Sequence, residues 1–384
     1  MGNSLGGRRS HGARVGLAVA VAILVVIGGG IAAVIALLSG SSTPAASARA
    51  TSGPAQSVPP SAVVSPVPTA DASPVSSHVS SPAASPSGAG SASAGTAHWT
   101  YPVPIDQQAD QNDNAIINSV SCVTAVTCYA VDSDGNVLAS TAENSWRAVN
   151  TTDSGTNLTA ISCAAAGDCV VVDNSGQALI LSDGSWNDPV TIDSGNQLND
   201  VSCPTTTFCV AVDNVGRGFV FRGSDTRWSP VTIDPNRDSL TSVSCPNTGF
   251  CVVVDDTGNE YTYHAGRWGG GNQVDGYGSL TQVSCSSASF CVAIDQNGNP
   301  VKMTGGNWSA RIVSWTTEAI SCPADGYCVA VDGSGGVRYY RNGNWPDVTK
   351  IAGNDVFSSI SCVAENACVA VDQDDNVMYY GPGA

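Results

Sequence analysis

The sequence predicts an all-β fold, a seven-bladed β-propeller, and three observations carry that prediction. A cysteine pair with a spacing of six recurs seven times: Cys122/Cys128, Cys163/Cys169, Cys203/Cys209, Cys245/Cys251, Cys285/Cys291, Cys322/Cys328 and Cys362/Cys368. Together the pairs use all 14 cysteines. Ten residues after each first cysteine stands an aspartate: Asp132, Asp173, Asp213, Asp255, Asp295, Asp332 and Asp372. Six units also carry a tryptophan near their end: Trp146, Trp186, Trp228, Trp268, Trp308 and Trp345. The first cysteines step by 37 to 42 residues, so one supersecondary unit is being repeated.

The third unit shows what the repeat builds. Four short β-like runs, at 199–203, 208–212, 218–222 and 228–233, are separated by turn residues. Four strands in roughly 40 residues is the signature of a propeller blade. The cysteine pair then joins the first strand to the second across their hairpin, a crosslink worth roughly 2 kcal/mol for so short a loop. The chain has only 6 Phe and 3 Met, so Val/Ala packing and the crosslinks are expected to share the work of stability. Zinc is a poor alternative, because the spacing is not CxxC and almost no histidine is present to complete a site.

Three residues after the aspartate comes glycine in six units (Gly135, Gly176, Gly216, Gly258, Gly298, Gly335), with Asp375 in the seventh. This D-x-x-G pattern predicts a tight turn between the second and third strands, in which the carboxylate accepts backbone N–H groups and glycine adopts a positive φ. The seventh unit reaches Ala384 without a tryptophan, whereas the segment 98–103 holds Trp99 ahead of the first unit. That segment is expected to complete the last blade and close the ring, leaving no open sheet edge.

The remainder of the chain divides by composition. Residues 15–38 are apolar and uncharged, long enough as a helix to cross a hydrocarbon core of about 30 Å. Arg8, Arg9 and Arg14 precede them, which places residues 1–14 in the cytoplasm and everything after Leu38 outside. The stretch exceeds a secretory h-region and reads as a signal anchor; Ala48-Arg49-Ala50 offers a cleavage site as the alternative. Residues 39–97 are Ser, Pro and Ala-rich and cannot form a core, so they read as a disordered linker to a propeller at 98–384. An external location makes disulfides the expected state of the cysteines.

Charge narrows the partners. After residue 98 the chain carries 11 Lys and Arg against 31 Asp and Glu, a balance of −20. Nucleic acid is excluded as a partner, since binding it requires basic groups against the phosphates. Cell-wall glycans, extracellular proteins and basic peptides fit better.

The phrases SVSCPNTGFCVVVDDTGN, QVSCSSASFCVAIDQNGN and AISCPADGYCVAVDGSGG resemble a propeller repeat of exported actinobacterial proteins. In some relatives this repeat forms the extracellular sensor half of a transmembrane Ser/Thr kinase. The resemblance spans residues 99–384 and implies a sensor or binding role without naming ligand residues. Only 14 residues precede the apolar stretch, so no kinase domain is expected there and a signal would pass through a partner.

Candidate sites follow from departures from the repeat. Asp110 and Asp113 lie in a long loop before the first unit, Asp275 and Tyr277 near Gly276, and Trp315 in a short loop before Cys322. Aromatic and acidic groups of this kind suit a sugar or a cationic peptide. Asp132-x-Asp134-x-Asn136 and Asp372-x-Asp374-x-Asn376 set hard oxygens at alternate positions, a pattern open to calcium, though without the terminal glutamate of an EF-hand. His98 and His264 are the only histidines after residue 97 and no carboxylate pair is singled out, so no catalytic residue is assigned. The reading is a membrane-anchored extracellular binding or sensor module, not an enzyme. The alternatives are a carbohydrate-active surface enzyme with unassigned carboxylates and a structural wall-associated protein.

Overall fold

The computed structural model describes residues 97–105, 115–151, 156–223, 227–274, 276, 278–309, 316–341 and 343–382. The apolar stretch at 15–38 and the linker up to residue 96 lie outside the described residues. Among the described residues no helix is long and apolar enough to cross a membrane.

The described chain is all β and forms seven antiparallel sheets, the blades. Blade 3 sets the pattern with strands Leu198–Thr205, Phe208–Asp213, Arg217–Arg222 and Trp228–Thr232, paired in sequence order. Its second strand is buried along its whole length, because neighbouring blades cover both faces. Blade 2 departs at its outer edge, where Ser185–Trp186 and Val190–Thr191 both pair with the third strand Gln177–Ser182. Blade 7 has only three strands of its own, Phe357–Ala364, Ala367–Asp372 and Asn376–Pro382. The N-terminal pieces Ala97–Trp99 and Val103–Pro104 pair with Asn376–Pro382 and supply its outer edge, as the displaced Trp99 predicted.

Each cysteine pair is a disulfide within its own blade, with Cα atoms 4.0 to 4.1 Å apart. All seven pairings are those the spacing predicts, and the structure adds that the two cysteines of a pair differ in depth. The second cysteine of each pair is core. Cys128, Cys251, Cys291 and Cys328 are 0% exposed and Cys169, Cys209 and Cys368 only 2%, because each sits in a second strand covered on both faces by neighbouring blades. Cys128, Cys251, Cys291, Cys328 and Cys368 therefore present no surface to a ligand, and their part in the protein is crosslinking and packing. The first cysteines lie nearer the surface, with Cys203, Cys245, Cys285 and Cys322 at 5 to 8%.

The D-x-x-G turns form as expected. In all seven the aspartate Oδ1 accepts the backbone N–H groups two and four residues on, at 2.7 to 3.0 Å. Asp375 takes φ 60° where the other units have glycine, so the seventh turn keeps the same geometry at some backbone cost.

A feature absent from the sequence reading closes the ring on its inner side. The serine before each first cysteine (Ser121, Ser162, Ser202, Ser244, Ser284, Ser321, Ser361) accepts the N–H of the next blade's first cysteine at 2.9 to 3.0 Å. The seventh link runs from Cys122 N–H to Ser361, so the circle has no break. Three residues before the cysteine, Ser119, Asp200, Ser242, Gln282 and Ser359 make a second tier of such bonds at 2.7 to 3.3 Å. These strands face neighbours with which they share no ladder, and side-chain oxygens therefore satisfy amides that the sheet cannot reach.

The core is divided among seven clusters, one for each junction between successive blades. Each cluster includes the tryptophan of the following blade: Trp146, Trp186, Trp228, Trp268, Trp308, Trp345 and, for blade 7, Trp99. The repeated tryptophans thus pack blades together.

Candidate ligand-binding site

Asp110, Asp113, Asp275, Tyr277 and Trp315 all lie outside the described residues. The two turns considered for calcium are described. Asp132 accepts the N–H groups of Asp134 and Asn136 through Oδ1 and the Asn136 side-chain amide at 2.8 Å through Oδ2. Asp372 is held the same way by Asp374 and Asn376. The other blades build the same brace without an acid in the middle position, so these carboxylates serve the turn.

A denser acidic group occurs between blades 3 and 4, on the side of the D-x-x-G turns. One carboxylate oxygen from each of Asp234, Asp238 and Asp255 lies within 4.8 Å of the others. At the preceding junction the matching pair, Asp193 and Asp213, is bridged by Arg217, with contacts of 2.5 and 2.7 Å. Asn259 stands in the place of Arg217 in blade 4, and the Tyr261 hydroxyl donates to Asp255 at 3.1 Å. Burial foremost, then hydrogen bonding and charge from Asp234 and Asp255, pushes the Tyr261 phenol well up. Desolvation and the adjacent carboxylates raise Asp238.

A half-open concavity lies at the opposite end of the blades, between blades 2 and 3, among the hairpins that carry the disulfides. It has a volume of about 390 Å³, within the range of small-ligand sites. Val170, Ile180, Leu181 and Phe221 and the Cys203–Cys209 disulfide form apolar walls, while Asp168, Asp183 and the hydroxyls of Thr205 to Thr207 supply polar ones. Asp168 Oδ1 accepts the Asp183 backbone N–H at 3.2 Å, which ties the two hairpins that border the pocket. No Lys or Arg is among the described lining residues.

The pocket arises from what blade 2 lacks. At the other six junctions an aromatic side chain of the leading blade joins the packing cluster: Tyr129, Phe208, Phe250, Phe290, Tyr327 with Tyr339, and Tyr379. These aromatics come from three positions: five, seven or seventeen residues after the first cysteine. In blade 2 those positions hold Asp168, Val170 and Ile180. Phe221 of blade 3 therefore meets Trp228 of its own blade at 5.5 Å but no aromatic ring from blade 2. The signal was present in the sequence as the absence of Phe or Tyr from all three positions of blade 2 together.

The fold and disulfide pattern define the class: a seven-bladed β-propeller with one crosslink per blade. No protein-family model matches the sequence, and no curated protein matches it. Among solved structures the chain is similar to YCF48 bound to a D1 peptide, with a TM-score of 0.61 and 14% identity over 74% of this chain and 96% of that one. It is similar also to YCF48 from Cyanidioschyzon merolae, with a TM-score of 0.58 and 13% identity over 74% and 99%. The WD40 β-propeller domain of Doa1 gives a TM-score of 0.59 and 11% identity over 74% and 97%. At these identities the likeness is one of fold.

Proposed function

We propose that this protein is an extracellular binding or sensor module, anchored by residues 15–38, spaced from the membrane by residues 39–96, and engaging a protein or peptide through its propeller, which begins at Ala97. The observation that carries the reading is the open junction between blades 2 and 3, the one described junction whose packing cluster holds no Phe or Tyr from its leading blade and which leaves a concavity of about 390 Å³ between disulfide-linked hairpins. Concave apolar volumes with a few placed polar groups are where propellers and other folds take ligands. The acid surplus of 20 charges favours a basic partner over an acidic one and steers its approach. A structural neighbour of the same fold is bound to a peptide, which adds support for a polypeptide over a glycan. The resemblance to exported sensor propellers supports the external placement and a role in passing a signal to a membrane partner.

The test uses the full-length chain, purified in detergent without reductant, on paired peptide and glycan arrays. Binding to basic peptides that weakens with salt is expected; binding confined to glycans would overturn the reading. Protease shaving of intact cells should release propeller fragments, and a propeller protected in intact cells but cleaved after lysis would refute the external placement.

A further inference from the structure

The six filled junctions describe what the empty one can take. At the junction of blades 3 and 4, Phe208 packs on Tyr263 at 6.0 Å, and the Arg222 guanidinium lies over the Phe208 ring at 5.1 Å. At the junction of blades 6 and 7, Arg341 lies 5.0 Å over Tyr327 and 4.9 Å over Tyr339. At the junction of blades 5 and 6, Phe290 packs on Tyr340 at 5.9 Å while Lys302 lies over Tyr340 at 5.5 Å. Two junctions thus stack a cation on the aromatic plug itself, and in the third the cation covers the ring of the following blade that the plug packs against. In blade 2 the plug position holds Asp168, and Ser182 stands where blades 3 and 6 place Arg222 and Arg341. Both the ring and the cation are missing, and two carboxylates, Asp168 and Asp183, line the opening instead.

We infer that the pocket between blades 2 and 3 takes an aromatic side chain of a partner polypeptide that carries a Lys or Arg beside it, the ring entering against Phe221 and the cation meeting Asp168 and Asp183. This rests on the reading of the propeller as a peptide-binding module and specifies its site and partner. The volume is sufficient: an apolar cavity of about 150 Å³ holds one benzene, and this one is larger. The ring would gain burial and edge-to-face contact, and the cation would gain charge pairing where no competing base lines the wall. The chain's own N-terminal segment cannot supply the plug, because no Phe, Tyr or Trp precedes Trp99, and Trp99 is committed to closing blade 7. Tyr101 is 89% exposed and is the one exposed ring a second copy could offer from that segment, but its neighbours Thr100 and Pro102 bring no cation.

The experiment measures fluorescence anisotropy of short labelled Gly/Ser peptides with a central Phe-Arg, Ala-Arg or Phe-Glu pair, added to the oxidised full-length chain in detergent. Phe-Arg should bind, with the other two at least about ten-fold weaker, a factor that corresponds to about 1.4 kcal/mol. Two variants refill the pocket from within by copying other blades: Asp168→Phe places the plug as Phe208 does, and Ile180→Tyr places it as Tyr339 and Tyr379 do. Each should reduce Phe-Arg binding at least about ten-fold while raising the melting midpoint, which separates blockage from misfolding. Asp183→Asn should weaken Phe-Arg more than Phe-Glu, and Glu365→Gln, exposed on a hairpin of blade 7, should change neither. Equal binding by wild type and both refilled variants would place the site elsewhere and overturn this inference while the broader binding reading stands. Absence of binding to all three peptides by a folded chain would also overturn it, whereas the array result decides the broader reading independently. A dimer that either refilled variant dissociates in sedimentation would assign the pocket to a second copy and refute the proposal.

Discussion

Asp200 offers a direct contest between burial and hydrogen bonding. It sits in the innermost strand of blade 3, where blades 1, 4 and 7 carry Ser119, Ser242 and Ser359. Its carboxylate accepts the Val201 and Val243 N–H groups and the Ser242 hydroxyl, each at 2.8 Å. Those bonds favour the charged form, yet burial outweighs them and lifts the pKa from an ordinary 3.8 to about 6. The folded state therefore holds this proton more tightly than the unfolded chain. Its stabilising effect is complete below about pH 4, declines as pH rises toward about 6, and is gone above that. Two pKa units correspond to about 3 kcal/mol, a ceiling because the residue keeps some accessible surface. Asp200→Ser removes the titration and keeps an acceptor for Val243 N–H, as Ser119 and Ser242 do for the blades that follow them. Guanidinium unfolding of both proteins at pH 4 and pH 7, with disulfides intact and tryptophan fluorescence as the readout, isolates the effect, since all other carboxylates are common to both. Between these pH values the wild type should lose about 1 to 3 kcal/mol more than the variant. Equal slopes, or a wild type that gains relative to Asp200→Ser on going to pH 7, would mean that the three hydrogen bonds outweigh burial and would refute the reasoning.

Three further outcomes test the closure of the ring. Ser284→Ala leaves the Cys322 N–H without its 3.0 Å acceptor and should cost about 1 to 3 kcal/mol, while Ser284→Thr restores the acceptor; faster amide exchange at Cys322 in the alanine variant alone is the marker. Tyr379→Phe removes the hydroxyl that accepts Trp146 Nε1–H at 2.7 Å and should cost about 1 to 3 kcal/mol by chemical denaturation, with no loss expected from ring packing. Replacing residues 97–104 by a Gly/Ser segment strips the outer edge from Asn376–Pro382, and hydrogen exchange should rise first in that strand, leaving blade 4 as slow as before.

The residues that recur with the same side chain were legible. Seven equal cysteine spacings fixed blade number, Asp and Gly fixed the turn, and the stray Trp99 fixed how the ring closes. The depth of each cysteine was not, because Cys128 and Cys122 differ only in which strand carries them, and burial depends on the blades packed either side. Ser121 and its six counterparts recur just as regularly, yet their partners lie one blade away, and a serine in a strand has no role until the neighbouring strand is known. The open junction was harder for a related reason. Loop lengths drew attention to Asp110, Asp113 and Trp315, whereas the decisive departure, Asp168 in place of Phe208, keeps the repeat length unchanged. Its meaning depends on Val170 and Ile180 also lacking a ring, and only the assembled junction shows that these three positions share one volume.

An unfilled junction would be a defect if stability were spread evenly, but the blades hold together in two layers. The inner layer consists of the serine circle, the second tier of side-chain acceptors, and the Val/Ala/Leu clusters; at the junction of blades 2 and 3 Ala160 stands in the second-tier position, but the circle and the cluster hold, since Ser162 accepts Cys203 N–H at 2.9 Å and Leu198, Val201 and Ala211 are buried there. The outer layer of aromatic plugs contributes burial worth about 1.5 to 3 kcal/mol per ring. Blade 2 forgoes that contribution, while the Cys163–Cys169 and Cys203–Cys209 crosslinks fix the hairpins on either side of the opening. A rim held by disulfides and by the Asp168–Asp183 contact keeps its shape without a plug, so the pocket is preorganised rather than collapsed. This is why the loss of a ring from all three positions of one blade can open a site without opening the ring of blades, and why refilling it with an aromatic from the chain's own repeat should raise stability at the expense of binding.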